Sequence, residues 1–409
     1  MKPYIFVVIV VFVALYYWYT APRAKKPQDR DIKSEQELPK PTPLNITPDQ
    51  VGNYDDRPWR IFRWPYHQTM SIFRLDINHW LDMDKYYVHY IEEKKKVFHE
   101  YGKDNLDWLP ESEEACLELM HIVVDHMLSR YPKLFTLLNS TNTVIRNEIT
   151  NEVLDMSIPL KDHPLVYVSK LAKEDFYVVQ QNPDDGLHYL VAAAVPFPGG
   201  GFSLLEILGQ NIDVIHTSVP YYKEKLQKSM EKWFSRLSAN EPVERATWYM
   251  SWDHELREAE VYKVPKGSSE VKDLPDPKEF VVRVDRQSLR RLPKSRAIIF
   301  TNHPIMYSID EMKDEPLVPS LIKKILFEGP PDIVKYKNFQ VFRDHIEPYL
   351  QSLIDRQIDL GIITKDTPVR TLPTYPFAHW AKTDFDYVNG WNNPSYPKNE
   401  KYNWLKKSA

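Results

Sequence analysis

The chain has 409 residues, 43% apolar and 27% charged, with a net charge of −4. This is enough apolar material for a sizeable core, and no part of the body carries the concentrated basic footprint that a nucleic-acid surface requires. A single cysteine, Cys116, excludes an intramolecular disulfide and any cysteine-built zinc or iron–sulfur centre, and suits a reducing compartment.

In chain order, Tyr4 to Thr20 carries no charge and ends in Tyr-Tyr-Trp-Tyr, the aromatic composition of a lipid–water interface. Residues 1–22 are therefore predicted to be an uncleaved transmembrane anchor. The cluster Arg23, Lys25, Lys26 and Arg30 behind it places the body in the cytosol by the positive-inside rule, giving a single-pass membrane protein. Residues 23–66, rich in Pro, Lys, Asp and Gln, read as a disordered linker. The domain proper is assigned to 67–357, and 358–409 is read as an irregular aromatic- and Pro-rich extension.

Within the domain, helical spacing begins near Asp84, and a second helix opens at Glu111–Glu114 and runs through CLELMHIVVDHMLSRYP, with Pro132 beyond its end. LVYVSKLA, DFYVVQQ and HYLVAAAVPF read as strands separated by turn residues. PGGG at 198–201 reads as a flexible connection. Tyr222 to Leu237 has the spacing of a helix, with Leu226, Met230, Trp233 and Phe234 apolar. ATWYMSWDHEL, EFVVRVDRQSL and RAIIFTNHPIMYSI read as three further strands, and Val318–Phe327 and Asn338–Gln357 as helices. The fold class is α/β (α+β), one mixed domain without internal repeats.

Several chemical motifs are weak or missing. Asp82-Met-Asp84 is a D-x-D of the kind that holds a metal–sugar-nucleotide, yet acidic residues at a helix start also complement the dipole. His121 and His126, five apart, do not share a helical face. There is no G-x-S-x-G, no G-x-G-x-x-G and no Walker A sequence; Gly199-Gly-Gly201 lacks the spacing. Asp285-Arg-Gln-Ser-Leu-Arg-Arg291 is more telling. Three arginines beside a strand can hold anions through bidentate contacts, although a solvated turn carries the same letters. His216, in NIDVIHTSVPYYKEKL, sits between an apolar, strand-like run and a Val-Pro-Tyr-Tyr turn, and could be a packed imidazole, a base or a ligand.

These pieces resemble the haem-dependent oxidative N-demethylase alpha-subunit-like family and its fungal HRQ branch. FRLDINHWLDMDKYYVHYIEEKK and LPESEEACLELMHIVVDHMLSRYP match its early segments. IHTSVPYY is similar to its I-H-x-P-V-P-x-Y, RATWYMSW to its Arg-x-Asn-Trp strand, and VVRVDRQSLRRLPKSRAIIFT to its L-R-V-[EH]-R-Q-T-L-R-R-L-P run. The matches lie in the family's order over roughly residues 70 to 355.

The resemblance implies a PAS-like fold with a mixed or antiparallel sheet and flanking helices, binding haem b. It implies oxygen-dependent removal of an N-methyl group from a small amine as formaldehyde, with electrons from a separate flavin or iron–sulfur reductase. His216 is the expected iron ligand, an imidazole being the usual protein ligand of haem iron. Arg286, Arg290 and Arg291 are expected to pair with haem propionates or order the pocket, and Gln287 to hydrogen-bond within it. Asp285, Thr217-Ser218, Thr247 and Thr301-Asn-His-Pro304 depart from the family pattern, and His303 enters as a rival ligand. The alternatives are a haem-binding sensor or electron-transfer protein, and a degenerate relative without haem that acts by binding partners, because fold does not determine function.

Overall fold

A computed structural model of the chain describes residues 38–265 and 268–381. Its elements are β1 (Phe73–Arg74), α1 (Tyr87–Tyr101), β2 (Leu106–Trp108), α2 (Glu113–Arg130), β3 (Phe135–Leu137), β4 (Val144–Asn147) and β5 (Glu152–Asp155). There follow α3 (Pro164–Leu171), β6 (Asp175–Gln181), β7 (His188–Ala194), α4 (Leu204–Ile207), α5 (Ile212–Ile215) and α6 (Gln227–Phe234), the last led by a π turn over Tyr222–Leu226. The chain continues through β8 (Val243–Ser251), α7 (Glu260–Lys263), β9 (Val281–Arg291), β10 (Ile298–Ser308), α8 (Val318–Glu328), α9 (Pro331–Tyr336) and α10 (Arg343–Asp359).

The fold is a mixed α/β arrangement around a seven-stranded sheet ordered β1-β8-β9-β10-β6-β7-β2, with every described pairing antiparallel. A second, three-stranded sheet is ordered β3-β4-β5. Strand alternation separates two packing faces. On β6, Phe176 and Val178 join the cluster built on α1, α2 and α3, whereas Tyr177 and Val179 join the one that holds Tyr222, Leu226, Met230 and Phe234. On β9, Val282 and Val284 meet Leu321, Ile325, Ile346 and Leu350 of α8 and α10. Long helices thus cover one face, and the short helical turns of residues 204–234 cover part of the other.

LVYVSKLA is not a strand. It forms α3, in which Leu165, Val168 and Leu171 are buried at helical spacing. Pro164 supplies a pre-set φ at N1, and the His163 ring accepts from Leu165 N. The β-branched residues suggested a strand, but packing on α2 selected the helix.

Two domain boundaries also move. Part of the expected linker is folded: Leu44, Ile46, Val51, Trp59, Ile61 and Phe62 are buried. Arg60 donates to both carboxylate oxygens of Glu315, at 2.8 and 2.7 Å. The expected C-terminal extension contributes a bridge from Phe377 to Trp59 and a buried Ala378. Proline and charge lower the mean hydropathy of these stretches, and the few apolar residues between them do the packing.

The expected single-pass membrane protein with a cytosolic domain is corrected here. Among the described residues no helix is long and apolar enough to cross a membrane. Residues 1–22, on which that expectation rested, lie outside the described residues.

Candidate functional site

His216 sits on a helical turn. Asn211 caps α5 by accepting from Asp213 N at 2.7 Å, which nucleates the single turn 212–215 and leaves His216 as its C-cap. Its Nδ1 lies 2.8 Å from Ile212 O. A carbonyl only accepts, so Nδ1 carries the proton and Nε2 holds the lone pair. Nε2 has no hydrogen-bond partner among the described residues. The Tyr222 ring stacks on the imidazole, centroids 5.3 Å apart and planes 19° from parallel. The Tyr222 hydroxyl in turn donates to the Asp213 carboxylate. Burial, reinforced by Arg245, holds the imidazole pKa below its ordinary value, so the ring is neutral at pH 7.

Ile212, Ile215, Val219 and Tyr222 pack in the same apolar cluster as Val243 and Leu289. Those two residues face each other across β8 and β9, as do Arg245 and Gln287 one pleat further on. Arg245 and Gln287 therefore share the sheet face on which the His216 turn rests. Both are half-buried, as is His216.

The expected arginines divide by strand parity. Arg286 and Arg290 lie on the opposite face. Arg286 donates to Glu244 at 3.0 Å, to Trp80 O at 3.2 Å and to His79 O. Arg290 stacks on the Trp80 ring at 4.0 Å, and burial pushes its pKa down to about 9. Arg291 points to the His216 face but donates to Leu237 O and Arg296 O, each at 2.7 Å, and to Phe234 O. The structure therefore does not gather these three arginines around His216. Of the run, Leu289 packs in the cluster of the turn and Gln287 shares its sheet face.

The face opposite His216 carries a buried ionic core. Asp84 accepts from Tyr86 N at 2.9 Å in the turn before α1 and pairs with Lys173. Lys173 Nζ also lies 3.9 Å from Asp56 and 3.4 Å from His303 Nε2. Oxygens of Asp56 and Asp84 and a His303 nitrogen lie within 4.8 Å of one another, a metal-like spacing. Lys173 Nζ already supplies the positive charge there. Burial raises the Asp84 pKa to about 7 against the pull of Lys173. His303 is buried on this face directly opposite Arg286, away from His216, and burial holds its pKa well below the ordinary value. Asp82, the other half of D-x-D, contacts His79 at 3.0 Å. Neither carboxylate is open to a nucleotide.

The sequence analysis did not single out Arg245, which the structure places on the His216 face. The signal for Arg245 was available: it is the arginine of the RATWYMSW strand, and period two puts Val243, Arg245 and Thr247 on one face.

An imidazole in a fixed tautomer with an open Nε2, set over an apolar face edged by arginine and glutamine, suits a flat apolar ligand with a metal and acidic groups. A profile of the family described as haem-dependent oxidative N-demethylase, alpha subunit-like, matches residues 71–347, more than half of the chain. The match spans the His216 turn, β8, β9 and β10, the segments that build this face. The narrower fungal branch rests only on the quoted motifs. The chain belongs to the haem-dependent oxidative N-demethylase, alpha subunit-like family.

Proposed function

We propose that this protein is a haem-binding oxidoreductase of the N-demethylase type, with His216 as the axial ligand of the iron in a PAS-like domain. The observation that carries this reading is the Nδ1 contact to Ile212 O, which leaves a neutral imidazole with Nε2 free to ligate. When bound, haem supplies the oxygen-dependent oxidation by which an N-methyl group leaves a small amine as formaldehyde.

The chain's own residues do the positioning. The Ile212 carbonyl and the Tyr222 ring hold the imidazole in one orientation, and Tyr222 is itself tied to Asp213. Leu190, Tyr177 and Leu289 provide the apolar floor that excludes water. Gln287, beside Arg245 on that floor, offers both a donor and an acceptor to a polar ligand group. The chain carries no flavin or iron–sulfur motif, and the alpha-subunit description itself implies other subunits or partners, so a separate reductase delivers the electrons.

The test is an absorption spectrum of the full chain supplied with haem, beside His216→Ala and His216→Gly. A Soret band that shifts or disappears in both variants, and returns in His216→Gly with added imidazole, is the expected result. No Soret band in the folded parent, or an identical band in His216→Ala, would refute ligation by this residue. Formaldehyde release with reductant, oxygen and methylated amines then separates the enzyme from a haem sensor.

A further inference from the structure

We propose that Arg245, with Arg63 beside it, forms a carboxylate-binding subsite at the edge of the His216 face. This rests on the reading of that face as a ligand pocket, and names the group the ligand presents to it.

Most other interior arginines are paired. Arg57 and Arg286 share Glu244, Arg60 pairs with Glu315, and Arg283 pairs with Asp285, with N–O distances from 2.7 to 3.0 Å. Arg291 donates to three carbonyls. Such pairing is the rule, because a guanidinium withdrawn from water must recover its lost hydration from an acceptor or an anion. Arg245 breaks the rule. Its Nε is buried without a hydrogen-bond partner, and among the described residues no carboxylate lies within salt-bridge distance. Its principal charged neighbour is a second cation, Arg63, and burial followed by that repulsion pushes the Arg245 pKa down to about 10. Arg63 donates to Thr69 Oγ1 at 2.8 Å and to His67 O, neither of which is an anion.

Arg130, Arg290 and Arg291 are also interior guanidiniums without a carboxylate, but all three are covered: Arg130 donates to Thr42 O at 2.6 Å with Nε and Nη2 left without partners, Arg290 rests on the Trp80 ring, and Arg291 is held by its carbonyls. Arg245 is half-buried, lies on the side of His216 and acts electrostatically on that imidazole. Two uncompensated guanidiniums at the margin of an apolar floor therefore await one anion. The planar fork of arginine matches a carboxylate bidentately, so the ligand has an apolar body and a carboxylate edge. Two sources share that chemistry, a porphyrin propionate and a carboxylate on the amine substrate.

The experiment uses the full chain, wild type and Arg245→Gln, with Arg245→Lys as the conservative variant and circular dichroism to verify folding. Binding of metal-free protoporphyrin IX and of its dimethyl ester is measured by tryptophan fluorescence quenching. The metal-free ring removes iron ligation from the comparison. The wild type is expected to prefer the free acid by roughly tenfold, Arg245→Lys to keep part of that preference, and Arg245→Gln to lose it. In a second arm, thermal stabilisation by N-methylglycine is compared with that by dimethylamine. A preference for the carboxylated amine that requires Arg245, without an acid-over-ester preference, assigns the same subsite to the substrate. If Arg245→Gln keeps every preference of the wild type, or the wild type shows none, the subsite is refuted. Failure of the haem reading looks different: haem gives no His216-dependent Soret band, while the Arg245-dependent preference for the free acid persists.

Discussion

Replacing Glu244 by Gln removes the carboxylate that Arg57 and Arg286 share. Arg57 Nη1 is 2.9 Å and Arg286 Nη2 3.0 Å from the same Oε2, and the three side chains are between 2% and 8% exposed. Breaking a buried pair by removing one partner costs about 3–5 kcal/mol, because the remaining charge stays buried without compensation. Two features favour the lower end. Arg57 keeps cation–π contacts with Trp59 and Phe377, at 5.2 and 4.8 Å, and Arg286 keeps the carbonyls of His79 and Trp80. The expected loss for Glu244→Gln is about 3 kcal/mol, read from urea unfolding followed by tryptophan fluorescence.

The acid limb of the stability curve should change as well. Burial opposes ionisation of Glu244, and Arg57 and then Arg286 outweigh it, so its folded pKa lies below the ordinary value. The stabilisation it provides is present above the unfolded glutamate pKa of about 4.3 and is lost as pH falls through the folded value. The variant should lack that decline. The folded variant should also bind protoporphyrin IX as tightly as wild type, since Arg286 is committed to the interior and not to the ligand. A loss below about 1 kcal/mol would refute the structural role. A porphyrin affinity that falls with Glu244 or Arg286 would return Arg286 to the pocket.

Two further predictions follow from close contacts and burial. A Cβ added at Gly199 would lie 2.5 Å from Asp285 Oδ2, so Gly199→Ala should push Asp285 off Arg283 and cost about 1–3 kcal/mol in urea unfolding; an unchanged midpoint would contradict that packing. Burial, aided by Arg291, pushes His188 down to about 4, so the unfolded chain takes up this proton first. Stability should therefore fall between pH 6.5 and 4 and level off for this group below that, and His188→Phe should soften the decline measured by thermal melts across that range. An identical pH profile would show that His188 is not responsible.

Particular residues show where local pattern stopped being informative. α1 and α2 and the strands of DFYVVQQ, HYLVAAAVPF and residues 281–308 were legible because each buries a face at a period of 3.6 or 2. LVYVSKLA was ambiguous because a short apolar run satisfies both periods, and α2 decided it. The turn at His216 looked strand-like because one helical turn is too short to display a period. The segment from Leu44 to Phe62 was hidden by its prolines, and its order comes from distant partners such as Glu315, 255 residues from Arg60.

The arginines give the same lesson at the candidate site. The sequence by itself determined the family and the mixed α/β class, and marked the histidine and the arginine-bearing strands from which the candidate site is built. Only the tertiary structure decided which guanidiniums are already paired and which are not. Arg57 finds Glu244 across 187 residues, and Arg286 and Gln287, adjacent in sequence, face opposite sides of the sheet. Pairing of buried charge depends on distances between elements, and those distances exist only once the sheet and its helices have packed.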